Sequence, residues 1–159
     1  SIGSGAFGHC TALKSITIPG SVKTIGHSAF GSCSALTSVN FQYGFKSIGE
    51  WAFAHCKSLQ SITIPDSVTS IGDFAFTDCE SVTSVVVGKG ITTIPDGCFH
   101  NVYSLKSVRL PLSVKTVEEY GFWSHDTLDI WYEGTEADKE KIVFDEHNFS
   151  HNTTWHYNS

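Results

Sequence analysis

Methionine is absent from this sequence, proline occurs 4 times, and only 16% of the residues are charged. Each shortage closes off a class of explanation. A net charge of −6 with so few cations leaves no basic stripe to neutralise phosphates, so nucleic acid is excluded as a partner. No apolar run approaches the roughly 20 residues that a bilayer-crossing helix needs, so no membrane insertion is expected. No secretory leader is present either. The chain opens inside a repeat and reads as an excised or processed portion of a longer protein. No Ser/His/Asp or Cys/His set is arranged to activate a nucleophile. Neither enzymatic activity nor a cofactor is expected.

What is present is a period. Ile2, Ile25, Ile48, Ile71, Ile94 and Val117 each open a unit of 23 residues. Phe7, Phe30, Phe53, Phe76, Phe99 and Phe122 hold the same later place. Self-similarity at a spacing of about 20 to 50 residues marks a solenoid. Within the unit, Gly3, Gly26, Gly49 and Gly72 supply a tight corner, which Pro95 and Glu118 must build differently. The Ala-Phe-x-x-Cys-x-x-Leu segment has apolar residues three apart, which predicts a short helical or 3₁₀ turn. Leu13, Ile16 and Ile18 then shift to a period of two, a short strand that Pro19 ends. One unit cannot bury its apolar set alone. Stacked units can, and their strands must pair in parallel because each copy is translated.

Cys10, Cys33, Cys56 and Cys79 occupy one place of the repeat, and Val102 takes that place in the fifth unit. Valine as the substitute assigns a buried, small, apolar role. Rungs about 4.8 Å apart would bring neighbouring Cα atoms into disulfide range. Side chains in a ladder point in parallel, however, and Cys98 stands at the alanine place. Free core thiols are the expectation, and the compartment stays open.

Leu-x-x-Ile-x-Ile is similar to the strand motif of leucine-rich repeats. The fuller line IGxxAFxxCxxLxSIxIPxSVxx resembles the BspA-like class, found in bacterial and protozoan surface proteins. The resemblance covers residues 2 to about 132. It implies an α/β solenoid, a right-handed leucine-rich repeat superhelix of about six units with a parallel sheet on one face. The asparagine ladder of such repeats is replaced by Ser21, Gly44, Ser67, Gly90 and Ser113. The array is expected over 1–132, with 133–159 as a C-terminal cap of the same domain. In that cap Thr135 and Asp138 have capping-box spacing, which predicts a helix over 135–142. A final strand is expected around Trp155-His156-Tyr157.

Four groups of residues could carry chemistry. Glu50, Asp73, Asp96 and Glu119 share one place and either cap the turns or line up as a cation ladder; capping is the simpler reading. His147, His151 and His156 lie close in sequence without a clear zinc geometry, and His9 and His55 stand about 10 Å apart by rung spacing. No metal site is expected. On the outer sheet face a serine row (Ser15, Ser38, Ser61, Ser84, Ser107) runs beside Thr17, Asn40, Thr63, Val86, Arg109 and Trp131. The second row ends in Arg and Trp, the preferred anchors of recognition surfaces. Its candidate binding residues are Asn40, Thr63, Val86, Arg109 and Trp131. An alternative aromatic patch on the turn side comprises Trp51, Phe74 and Tyr120. Asn148-Phe-Ser150 and Asn152-Thr-Thr154 match the glycosylation acceptor pattern.

The resemblance implies an extracellular or cell-surface location and adhesion to an extracellular or host protein, or to a glycan. The competing reading is a structural spacer that presents another domain. Calorimetry with calcium and with zinc should show no saturable heat. A calcium-dependent rise in melting temperature that Asp73→Ala abolishes would reverse the reading of the acidic row.

Overall fold

The structure is a computed structural model and describes residues 1–123, 127–149 and 152–158. Its elements begin with β1 (Ser15–Ile18), β2 (Thr24–Ile25), β3 (Ser38–Phe41), β4 (Ser47–Ile48), β5 (Ser61–Thr63) and β6 (Ser70–Ile71). They continue with β7 (Ser84–Val86), β8 (Thr93–Ile94), β9 (Ser107–Leu110), β10 (Thr116–Val117) and β11 (Leu128–Tyr132). Helix α1 (Glu136–Lys139), β12 (Val143–Phe144) and β13 (Thr153–Tyr157) complete the order.

Pairing is parallel and steps by one repeat, as in Ser15 opposite Ser38 and Ser61 opposite Ser84. The odd-numbered strands through β11, joined at the end by β13, form the broad face of a coil. The even-numbered ones line the adjoining corner. Neither sheet is continuous. On the broad face β1 pairs with β3, and β5, β7, β9, β11 and β13 pair in that order. The gap falls where Phe41 replaces the Ile18 and Ile64 of neighbouring coils; its ring stacks on Phe45 and meets Phe53 edge-on. On the corner, β2-β4-β6 is separated from β8-β10-β12. Here the cause is covalent. Gly72 N–H donates to Ile48 and Glu118 N–H to Ile94. Pro95 holds the corresponding place and has no proton to give Ile71.

The turn side departs from the helical or 3₁₀ expectation. Bonds spanning three residues are present, such as Gly8 N–H to Gly5 and Cys10 N–H to Phe7. Left- and right-handed conformations nevertheless alternate, with two left-handed residues per coil standing four apart on either side of the buried Phe: Ser28 (φ 51°) and Ser32 (60°), Trp51 (57°) and His55 (58°), Phe74 (55°) and Asp78 (55°) among them. A helix directs its amides along itself. This alternation directs every other amide sideways, at the next coil. Phe30 N–H donates to Ala52 at 2.8 Å, Trp51 to Asp73 at 3.0 Å and His55 to Thr77 at 2.9 Å. A bulky residue in this conformation costs about 1–2 kcal/mol, and a net intramolecular hydrogen bond returns a similar amount.

Inside, the phenylalanines stack from Phe7 to Phe122 with centroids 5.1–5.6 Å apart and planes within 5°. Phe30 to Phe122 are fully buried, each contributing about 1.5–3 kcal/mol. The cysteine rung lies beside them. Cys33, Cys56 and Cys79 thiols donate to the carbonyls of Phe7, Phe30 and Phe53 at 3.1–3.3 Å. All five thiols are free, and all but Cys10 are buried. Of the residues replacing the asparagine ladder, Ser67 does most. Its hydroxyl accepts from Gly44 N–H at 3.0 Å and donates to the Phe45 carbonyl at 2.9 Å.

The cap is a degenerate further coil. β12 pairs with β10 and β13 with β11, while Phe149 extends the phenylalanine stack at 6.2 Å from Phe122. His147 is left-handed (φ 61°) like Tyr120 before it, and their rings stack. Thr135 and Asp138 form both bonds of the expected capping box, though α1 is shorter than the 135–142 anticipated. Asn148, 4% exposed, accepts from Gly121 N–H at 2.8 Å and donates to the Val117 and Asp145 carbonyls. The first acceptor pattern is therefore a structural asparagine, since its amide nitrogen, the atom a glycan would take, is buried and already donates to two carbonyls. Its Ser150 lies outside the described residues, as does His151. Asn152 of the second pattern is exposed.

Burial pushes the Cys56 thiol up to about 12 and raises those of Cys79 and Cys98 well above the ordinary thiol value. Alkylation of the folded protein should accordingly modify Cys10 alone, and five groups should react after unfolding. Cys56→Val, copying Val102, should be milder than Cys56→Ser, which should cost about 1–3 kcal/mol through a buried hydroxyl. Fewer than five reactive groups in unfolded, unreduced protein would mean a bridge.

Candidate binding surface

In-register parallel strands turn each outward repeat place into a row. Thr17 faces Asn40 across β1 and β3. Beyond the break Thr63, Val86, Arg109 and Trp131 follow on β5, β7, β9 and β11, and His156 of β13 comes next. Val86, Arg109 and Trp131 are consecutive neighbours, as the spacing predicted. Asn40 and Thr63 share the row but fall on opposite sides of the break. The neighbouring serine row continues into Asp129, opposite Ser107.

Two members of this surface escaped the sequence reading. His156 stacks on the Trp131 indole at 4.0 Å and 11°, and its Nε2 lies 2.8 Å from an Asp129 carboxylate oxygen. The signal was the matching alternation of Ile130-Trp131-Tyr132 and Trp155-His156-Tyr157, which places His156 beside Trp131 once the two are paired. Trp131 retains 52% of its exposure despite this stacking. Its indole is held on one side and open at its edge.

An open cleft of about 490 Å³ lies along these strand ends, lined by Val86, Arg109, Trp131 and His156 together with Asp66, Lys89 and Glu133. Lys89 pairs with Glu133 at 3.4 Å, and its backbone N–H donates to Asp66 at 2.8 Å. Five successive coils each contribute to the lining. A second, shallower trough of about 330 Å³ crosses the turn side of the first three coils and ends at Trp51.

The alternative patch divides in two. Trp51 and Phe74 stack at 4.6 Å, and the Trp51 indole N–H donates to Glu50 at 2.9 Å. The Phe74 ring then lies over Gly97, where a Cβ would come within 2.2 Å of it. Tyr120 belongs to a separate group with His100, His147 and Trp123. All three patch residues are half-buried.

Two members of the acidic row take side-chain partners in place of the expected caps. Glu50 accepts from the Trp51 indole, and Glu119 pairs with His147 at 3.2 Å. Glu118 accepts the Asp96 backbone N–H. Among the described residues no three metal-ligating side chains converge. No described helix is long and apolar enough to cross a membrane.

These features define a leucine-rich repeat solenoid. The BspA type Leucine rich repeat region matches residues 1–129 in 6 copies, and the chain belongs to that family. A leucine-rich repeat protein from Bacteroides ovatus is 35% identical with a TM-score of 0.69, over 82% of this chain and 36% of its own. The chain thus spans about a third of that protein's length. The T. pallidum leucine-rich repeat protein is 25% identical with a TM-score of 0.72, covering 93% of this chain and 79% of its own. The pneumococcal vaccine antigen PcpA, 18% identical over 91% of this chain and 42% of its own, shares the fold at a TM-score of 0.59. No curated protein matches the chain.

Asp96 yields a test of the turn-side electrostatics. Burial raises its pKa, and the neighbouring Asp73 and Glu119 raise it further; one carboxylate oxygen is buried without a hydrogen-bond partner. An acid whose folded pKa is raised penalises the fold above that pKa, and the penalty fades as pH falls through it. Asp96→Asn should raise the melting temperature at neutral pH, with the gain shrinking in acid. A constant gain across pH would exclude the charge as its cause.

Proposed function

We propose that the chain is a non-catalytic binding module of a secreted or cell-surface protein. It adheres to an extracellular or host protein or glycan through the C-terminal rungs of its broad face. The observation that carries this reading is the half-exposed Trp131 indole, stacked on His156 and next to Arg109 on the row above an open cleft. A rigid aromatic loses little freedom on binding, and Arg offers a planar set of donors. The N-terminal rungs, with Ser15, Thr17, Ser38 and Asn40, carry no comparable anchor. Membership of the BspA-type family supports the surface location.

The spacer reading predicts no partner for this chain at all. Immobilised extracellular-matrix proteins separate the two. Arg109→Ala and Trp131→Ala should each weaken binding by more than about 1 kcal/mol, and Thr17→Ala should leave it unchanged. Normal binding by both anchor variants, with loss in Trp51→Ala or Phe74→Ala, would move the site to the turn side.

A further inference from the structure

We propose that the cleft takes an acidic oligosaccharide, a linear sugar chain that carries carboxylates among its hydroxyls. This rests on the binding-module reading and names the ligand of the same site. The charges around the cleft are paired with one exception among the cations. Lys89 is matched by Glu133 and holds Asp66 through its backbone, and His156 is matched by Asp129. Arg109 is exposed on β9, lines the cleft, and makes no side-chain hydrogen bond or ion pair among the described residues. The cation left without a partner is a guanidinium, which fits a carboxylate with two parallel bonds.

Carboxylates and apolar side chains surround that cation. Asp66, Glu133 and Asp129 are acceptors when ionised and would repel a ligand bearing only negative groups. Hydroxyls both donate and accept, so a chain of hydroxyls with sparse carboxylates satisfies both signs. Val86 and Trp131 flank Arg109 on adjacent rungs and offer apolar surface to the carbon face of a sugar ring.

The cleft runs across the strands, not along them. Asp66, Val86, Arg109, Trp131 and His156 come from five successive coils, so the cleft extends about 19 Å across the strands at about 4.8 Å per rung. The backbones of β5 to β13 are already paired with one another. A peptide lying across them gains none of the main-chain bonds that strand addition provides. A sugar chain needs only side chains.

The test is calorimetric titration of the whole chain with a uronate tetrasaccharide, its methyl ester, a sialylated trisaccharide and an acidic peptide. At least one acidic sugar should bind saturably, and which one does distinguishes a uronate from a sialate source. Esterification should weaken uronate binding, and Arg109→Gln the binding of whichever sugar is taken, by about tenfold or more, with Arg109→Lys between. Melting temperatures of the variants should match the parent, since the side chain is exposed. Ester binding equal to the acid, capture of the peptide with neither sugar bound, or no heat from any sugar would each overturn the proposal. If Arg109→Ala still weakens adhesion to matrix proteins in those cases, the sugar assignment fails and the binding-module reading survives.

Discussion

Everything in this molecule depends on one repeat distance shared by two kinds of bond. Strands on the broad face must lie about 4.8 Å apart to pair. The turns on the other side must close at the same spacing, or the coil would fan apart. Two left-handed residues in each turn, four apart, meet that requirement by directing amides sideways, as Phe30 does to Ala52 and His55 to Thr77. The phenylalanine stack, at 5.1–5.6 Å, fills the space between the two ladders at nearly the same pitch. The backbone strain on the turn side is thereby tied to hydrogen bonds that hold one coil to the next.

That arrangement explains why function is sought in rows. Once coils are translated copies, an outward place of the repeat becomes a line of neighbours, and departures from the consensus collect along it. Thr63, Val86, Arg109, Trp131 and His156 are such a line. Its inward neighbours hold the fold, while its own members face solvent and can change without disturbing the stack. The same logic makes Trp51 and Phe74 a serious alternative. They occupy left-handed places where other coils have Gly5, Ser28 and Gly97, and an aromatic there bears a backbone cost that the smaller residues reduce or avoid. Much of each ring is nevertheless covered, by the other's stacking and by Gly97 beneath Phe74.

The period made the core legible in the sequence, because a translated copy buries the same places every time. The cysteine rung followed from Val102 as its substitute, and the corner at Pro95 announced itself as different. What could not be read was anything that depends on angle rather than spacing. Residues three apart look helical whether or not two residues of the turn are left-handed, so the sideways amides were hidden. Within the acidic row, side-chain partners such as Trp51 and His147 displaced the expected caps. Asn148 looked like an acceptor for a glycan, since its burial depends on a cap whose register the repeat does not dictate.

The cap also decides where a site can form. Along the regular array each outward residue has neighbours of much the same kind above and below, which yields a uniform face with little to recognise. Beyond β9 the register slips by one residue, and Asp129, not Ile130, comes to stand opposite Ser107. β13 then pairs over β11 and brings His156 onto the free face of Trp131. Burying the open core and building the aromatic platform are therefore one act of the same strand. Trp155 turns inward toward Tyr132 and Phe149, while His156 turns outward onto Trp131. A strand added to close the stack has to alternate its side chains. The inward set seals the core, and the outward set is left to meet whatever lies in the cleft.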